Sequence, residues 1–180
     1  ITEISGKHNE SNSIVRDYLA RVFRYGTIDK AVYHLKRGKL MFTQRKILVV
    51  EDNEINRMML SAILSSEYEV LEAENGQQAV ELLDCHPEVD LLLDITMPEI
   101  DGFGVLEIMN QYHWIEETPV IMISAEDSYT FVERAYDLGA SDYITRPFDA
   151  RVVCRRVSNT LMLYAKQKRL VQMVAEQVYE

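Results

Sequence analysis

Asp94 closes the run Leu91-Leu92-Leu93-Asp94, and a turn through Ile95-Thr96-Met97-Pro98 follows at once. Three other apolar runs end in the same manner. Lys46-Ile47-Leu48-Val49-Val50 leads into Glu51-Asp52, Pro119-Val120-Ile121-Met122-Ile123 into Ser124, and Tyr143-Ile144-Thr145 into Arg146. A carboxylate at such a position must be solvated, paired or bound to a cation, because burying it bare is too costly. Taken alone, Asp94 is equally well explained as a cap on the turn before Pro98. Taken with the other run ends, it belongs to a set. Two unit charges about 4 Å apart at a protein-like dielectric cost roughly 4 kcal/mol, so converging Glu51, Asp52 and Asp94 call for a cation. Oxygen ligands in a small open site suit Mg²⁺ or Mn²⁺, which keep several waters and share a phosphate oxygen. With metal bound, Asp94 can attack phosphorus to form an aspartyl phosphate. The Ser124 hydroxyl and the Arg146 guanidinium can then hold the phosphoryl oxygens.

This chemistry requires the run ends to lie side by side, and the pattern around them supplies the means. The stretch from Lys46 to Phe148 alternates strand and helix in five units of about 25 residues each. Asn53 can cap a helix carrying Ile55, Met58, Met59, Ala62 and Ile63; Tyr68–Glu72 is a strand; Asn75-Gly76 opens a helix with Ala79, Val80, Leu82 and Leu83. Asp101-Gly102 starts a helix with Val105, Leu106, Ile108 and Met109, and Gly139 closes one with Phe131, Val132, Ala135, Tyr136 and Leu138. Strict alternation predicts right-handed crossovers and a doubly wound parallel sheet with helices on both faces. The first, third and fourth strands are the most apolar and are expected at the centre; the second, with Glu69 and Glu72, is expected at an edge. In such a sheet ligands bind at the carboxyl ends of the strands.

The net charge of −10 is unevenly placed. Residues 1–45 hold nine Lys/Arg against four Asp/Glu, residues 46–150 hold four against 23, and residues 151–180 hold six against two. The acidic middle argues against direct nucleic-acid docking, which needs cations, and favours a cation site. The basic flanks are most simply solvated helix faces. No apolar run is long enough for a membrane span and no signal peptide is visible, so a cytoplasmic location is expected. Cys85 and Cys154 lie far apart and are expected as reduced thiols. The chain starts at Ile1 rather than Met, as a piece of a longer protein would.

The segments "ILVVEDN" (47–53), "LLLDITMPEIDGFGVL" (91–106), "PVIMISA" (119–125) and "GASDYITRPFD" (139–149) together resemble a response-regulator receiver domain, the flavodoxin-like (βα)5 module of two-component signalling. The resemblance implies Asp94 as phosphoacceptor and Mg²⁺ (or Mn²⁺) held by Glu51, Asp52 and Asp94, with the backbone carbonyl of Thr96. It implies Ser124 as switch hydroxyl and Tyr143 as the aromatic that turns inward with it; the residues alone leave Tyr143 an ordinary core side chain. It also implies a sensor histidine kinase or phosphotransfer protein as partner, and a signalling module rather than an enzyme beyond self-phosphotransfer or autodephosphorylation. One position departs: the family has Lys, usually joined by a cis peptide to the following Pro, where this chain has Arg146. Either the cation is tolerated, or phosphorylation and switching are weakened and the chain is a phosphate-independent interaction module. An aspartyl phosphohydrolase is disfavoured, since that chemistry usually wants an acid two residues past the nucleophile and position 96 is Thr.

Two extensions frame residues 46–150. In residues 1–45, Ser13 and Thr27 can cap two helices stopped by Gly26 and Gly38, a helical hairpin of no visible catalytic spacing. Residues 151–180 continue one helix without Gly or Pro to about Val178, roughly 45 Å at 1.5 Å per residue. Cys154, Val157, Leu161, Tyr164, Lys168, Val171, Ala175 and Val178 step three and four in turn, a heptad seam broken by Lys168. The seam is expected either to join two protomers as a coiled coil ahead of an output domain outside this chain, or to pack on the N-terminal hairpin. The stretch "RRVSNTLMLYAKQKRLVQ" is weakly similar to linkers ahead of cyclic-di-nucleotide output domains such as diguanylate cyclases. No helix-turn-helix with a basic recognition face is visible.

Overall fold

The computed structural model describes residues 45–178. The helical hairpin expected in residues 1–45 lies outside the described residues. Five strands form one parallel sheet: β1 (Lys46–Val50), β2 (Glu69–Ala73), β3 (Asp90–Asp94), β4 (Val120–Ser124) and β5 (Asp142–Thr145), in the order β2-β1-β3-β4-β5. Helices α1 (Glu54–Leu64), α2 (Gly76–Cys85), α3 (Gly102–Gln111) and α4 (Tyr129–Asp137) connect them, and α5 (Ala150–Val178) follows β5. The three most apolar strands are central and the Glu-bearing β2 is an edge, as the sequence predicts. The chain is wound in one direction from β1 to β2 and in the other from β3 onward. The crevice between β1 and β3 is therefore the switch point at which sheets of this kind bind ligands.

Strand geometry divides the apolar runs between two cores. Leu48, Val50, Leu91, Leu93, Met122 and Tyr143 face one side, under Ala79 and Leu83 of α2, Phe103, Leu106 and Met109 of α3, and Ala135 of α4. Ile47, Val49, Leu92, Ile121, Ile123 and Ile144 face the other, under Leu60 and Leu64 of α1 and Val153, Val157 and Leu161 of α5. Side chains two apart share a face, so a continuous apolar run is what a strand covered on both sides needs. Asn53, Asn75 and Asp101 cap α1, α2 and α3, each accepting from a backbone N–H three residues on. Gly139 closes α4 with φ +95, a conformation that a Cβ would strain.

Helix α1 corrects one expectation. Its inward face is Arg57, Leu60 and Leu64, whereas Ile55 is 76% exposed and Met58 61%. Both sets have helical spacing. The cation at Arg57 disguised the inner one: its guanidinium donates to the Glu51 carbonyl at 2.8 Å and lies near Glu72 at 3.3 Å and Glu74 at 3.6 Å. Each of the four Lys/Arg residues in 46–150 has an acidic partner: Lys46 pairs with Glu69 and Glu88, Arg134 with Glu107, and Arg57 and Arg146 with the groups around the strand tips. The scarce cations sit where acids crowd.

Asp149 caps α5, accepting from Arg151 N at 2.8 Å, and this bond with the Arg151 side chain holds its carboxyl below the usual range. The first part of the heptad seam is spent on the domain itself. Val157 and Leu161 are buried in its core, and the Tyr164 hydroxyl donates to the Glu116 carbonyl. The described helix exposes Met162, Leu163, Leu170, Met173 and Val174 instead. No helix among the described residues is long and apolar enough to cross a membrane.

Candidate functional site

The register places the polar residues at one edge. Val50 pairs with Leu93, Asp94 with Ile123, and Ser124 with Thr145, so Glu51, Asp94, Ser124 and Arg146 stand at successive strand ends. Glu51 N donates to Ala73 O at 3.1 Å and Arg146 N to Ser124 O at 2.7 Å, which carries strand-like pairing up to these polar residues. Glu51 and Asp94 are almost wholly buried and Asp52 is exposed. Carboxylate oxygens of the three lie within 4.8 Å of one another.

Arg146 answers this charge from the end of β5. Its Nη1 donates to Asp94 Oδ1 at 3.1 Å, and its Nη2 donates to Glu51 Oε2. Glu51 Oε1 accepts from Asn53 N at 3.3 Å and Asn56 Nδ2 at 3.2 Å. Burial pushes the Asp94 carboxyl up from its ordinary 3.8 to about 6; the Arg146 cation pulls it back, and the Glu51 charge pushes in the same direction as burial. One guanidinium against three carboxylates leaves the group acidic. The all-oxygen donor set, with one exposed member, fits a hard dication such as Mg²⁺ or Mn²⁺.

Ser124 and Tyr143 meet at a different point. Glu126 N donates to Ser124 Oγ at 3.0 Å, and the Tyr143 hydroxyl donates to the Glu126 carbonyl at 2.6 Å. Both hold the β4–α4 loop through the backbone of one residue. Tyr143 is buried and its phenol is raised, mainly by desolvation, with a lowering contribution from Ser124. Thr96 is exposed in the loop after β3, and its backbone, with that of Ile95, hydrogen-bonds the Asp94 carboxylate and works against the rise of its pKa. The peptide between Arg146 and Pro147 is cis. Sequence reasoning missed three participants: Arg57, which fixes the Glu51 backbone; Asn56, which fixes its side chain; and the Glu126 backbone. Arg57 alone left a signal, in its spacing of three and seven from Leu60 and Leu64.

Comparison with known proteins places this geometry in a family. Residues 47–158 match the family model of the response regulator receiver domain. The two-component response regulator ORR5 of Oryza sativa is 32% identical over 117 residues, 64% of this chain and 87% of that protein. The transcriptional regulatory protein SrrA of Staphylococcus aureus is 37% identical over 117 residues, 64% of this chain and 47% of SrrA. Among solved structures, a two-component system response regulator/GGDEF domain protein matches with TM-score 0.64 at 30% identity, covering 68% of this chain and 51% of that one. Chemotaxis protein CheY4 of Vibrio cholerae matches in fold with TM-score 0.62 at 24% identity, covering 66% of this chain and 99% of that one.

Proposed function

The chain belongs to the response regulator receiver family, and from that premise we propose that it is a phosphorylation-dependent signalling receiver whose Asp94 accepts a phosphoryl group from a sensor histidine kinase or phosphotransfer protein. The observation that carries this reading is the burial of Asp94 at a strand tip, within 4.8 Å of Glu51 and Asp52 oxygens and bonded to Arg146. The Asp94 carboxylate attacks phosphorus in line; the P–N bond to the donor imidazole breaks as the Asp94 O–P bond forms. A bound Mg²⁺, held by Glu51, Asp52, Asp94 and the Thr96 carbonyl, would supply charge neutralisation for the phosphoryl oxygens. Arg146 Nη1, already on Asp94, moves to a phosphoryl oxygen. The Ser124 hydroxyl gives up the Glu126 N–H to reach another, and the loop it releases stays tied to the Tyr143 hydroxyl through the Glu126 carbonyl. The face built from α4, β5 and α5 then changes its affinity for partners. The chain works in the cytoplasm as a signalling module, with no enzymatic turnover beyond self-phosphotransfer or autodephosphorylation.

With acetyl phosphate and Mg²⁺, intact mass spectrometry is expected to show one phosphoryl adduct on the wild type and none on Asp94→Asn; an adduct on both, or on neither, overturns the assignment. A second reading, a phosphate-independent interaction module, is favoured by one observation, the tie that Arg146 makes between Asp94 and Glu51. Beryllofluoride separates the two, since only a switching receiver changes its spectrum on titration.

Residues 46–150 form the receiver on this reading, 1–45 an N-terminal extension, and 151–180 a linker to an output or dimer partner. A homodimer through α5 uses positions beyond Leu161, because Val157 and Leu161 are in the core. The likeness to a response regulator/GGDEF domain protein supports an output of the cyclic-di-nucleotide class. Ile55, Met58 and Met59, exposed on α1 next to the crevice, suit the donor protein's docking surface. Met58→Asp is expected to slow transfer from a phosphotransfer donor about tenfold, the effect of losing one apolar anchor, while acetyl phosphate labels the variant as it labels the wild type.

A further inference from the structure

The receiver reading assigns Glu51, Asp52 and Asp94 to a divalent cation, yet two of the three are already committed. Glu51 has both oxygens engaged, Oε1 by Asn53 N and Asn56 Nδ2 and Oε2 by Arg146 Nη2. Asp94 Oδ1 is engaged by Arg146 Nη1 at 3.1 Å. The Arg146 side chain is 20% exposed, and those of Glu51 and Asp94 are 1% and 3% exposed, so the contacts are poorly screened. The root of Arg146 is pinned by the bond from its N–H to Ser124 O. Asp52 takes no part in the fork and is exposed.

The planar guanidinium gives each carboxylate a nitrogen of its own, whereas an ammonium would bring one nitrogen to both and hold each less firmly. Resting on the receiver reading, we propose that Arg146 is an internal counter-ion that competes with the divalent cation for Glu51 and Asp94. Asp52, the one carboxylate outside the Arg146 fork, would hold the metal together with Glu51 and Asp94, and Arg146 would release Glu51 from Nη2 while keeping Nη1 beside Asp94. The charge of the metal-free site is thereby partly neutralised from within, and metal affinity is set lower than a lysine at position 146 would set it. The domain is loaded only where Mg²⁺ is abundant.

The test is calorimetric titration of Mg²⁺ into the wild type, Arg146→Lys and Arg146→Gln at one ionic strength, with thermal melts in EDTA and in saturating Mg²⁺. The Kd is expected to fall about tenfold in Arg146→Lys, the release of one charge-assisted hydrogen bond, and further in Arg146→Gln, which removes the competing charge. In EDTA, Arg146→Gln is expected to melt below the wild type, and Mg²⁺ to close the gap. Equal affinities in all three, or weaker binding in Arg146→Lys, would overturn the competition and leave the metal site standing. An absence of Mg²⁺ binding in all three overturns the metal site itself and this inference with it. If Arg146→Gln does not fold, the lysine variant against the wild type decides, because it keeps the cation.

Discussion

Gly102→Ala is expected to lower the stability of the domain by about 3–4 kcal/mol and its melting temperature by roughly 10–15 °C, measured by circular dichroism. A Cβ at position 102 would lie 2.3 Å from the Asp94 carbonyl oxygen and 2.8 Å from Ile95 Cα. Both are backbone atoms of the buried end of β3, so no side-chain rotation relieves the overlap. The first turn of α3 rests directly on that strand end, with Gly102 N donating to Ile95 O at 2.9 Å. Making room means lifting α3 from the sheet, which opens the core around Phe103 and Leu106, or pushing β3 back, which moves Asp94. Either displacement damages the site along with the fold, so phosphoryl uptake is expected to fall with stability. Gly104→Ala is the control. Its Cβ would meet only the Ile100 Cγ2 atom at 3.1 Å and the Asp101 side chain at 3.4 Å, and alanine favours the helix interior. Equal melting curves for the wild type and Gly102→Ala would show that the close approach has no energetic weight.

The sheet and its tips were legible because their signals are local. Runs such as Leu91–Leu93 admit little besides a strand covered on both faces, and the polar residue ending each run marks its carboxyl end. Which strands are central and that β2 is an edge followed from which runs were most apolar. Partner choice was not legible. A long side chain at a strand tip reaches several groups, and the sequence says nothing of which it takes. The crowding of Glu51, Asp52 and Asp94 was read as a demand for a metal, and the structure shows that Arg146 meets part of that demand itself. Tyr143 and Ser124 were linked only through a family resemblance; their common attachment, the Glu126 backbone, has no side-chain signature. The seam along α5 illustrates a further limit. Val157 and Leu161 have the period of a coiled coil, but a helix packed on its own sheet has the same period, so spacing could not separate the two.

At the opposite end of the sheet, Asp90→Asn is expected to become more stable relative to the wild type as pH rises from 4 to 7.5, by on the order of 3 kcal/mol. Asp90 opens β3 and is 5% exposed. Arg45 Nη2 donates to its Oδ1 at 3.2 Å, while Oδ2 is buried 3.2 Å from Arg45 Nε without a hydrogen bond. Burial pushes this carboxyl from its ordinary 3.8 up to about 6, and the attraction of Arg45 only partly offsets it. Between those values the folded chain keeps a proton at Asp90 that the unfolded chain has released. The contribution of this group to stability is therefore complete below about 3.8 and is lost as pH rises through about 6. The displacement corresponds to the figure given above at 1.36 kcal/mol per pH unit. Asparagine carries no proton to lose, so the difference between the variant and the wild type isolates Asp90 from Asp94, which titrates in the same range but is present in both chains. Urea unfolding at the two pH values measures it. A difference that does not change with pH would mean that Asp90 ionises as an exposed carboxylate does, and that Arg45 fully compensates its burial. Arg45 also donates from Nη1 to the Leu161 carbonyl at 2.8 Å. The same cation thus ties the ionisation of β3 to the point where α5 leaves the core, and Arg45→Gln is expected to raise the Asp90 pKa further and to enlarge the pH-dependent difference.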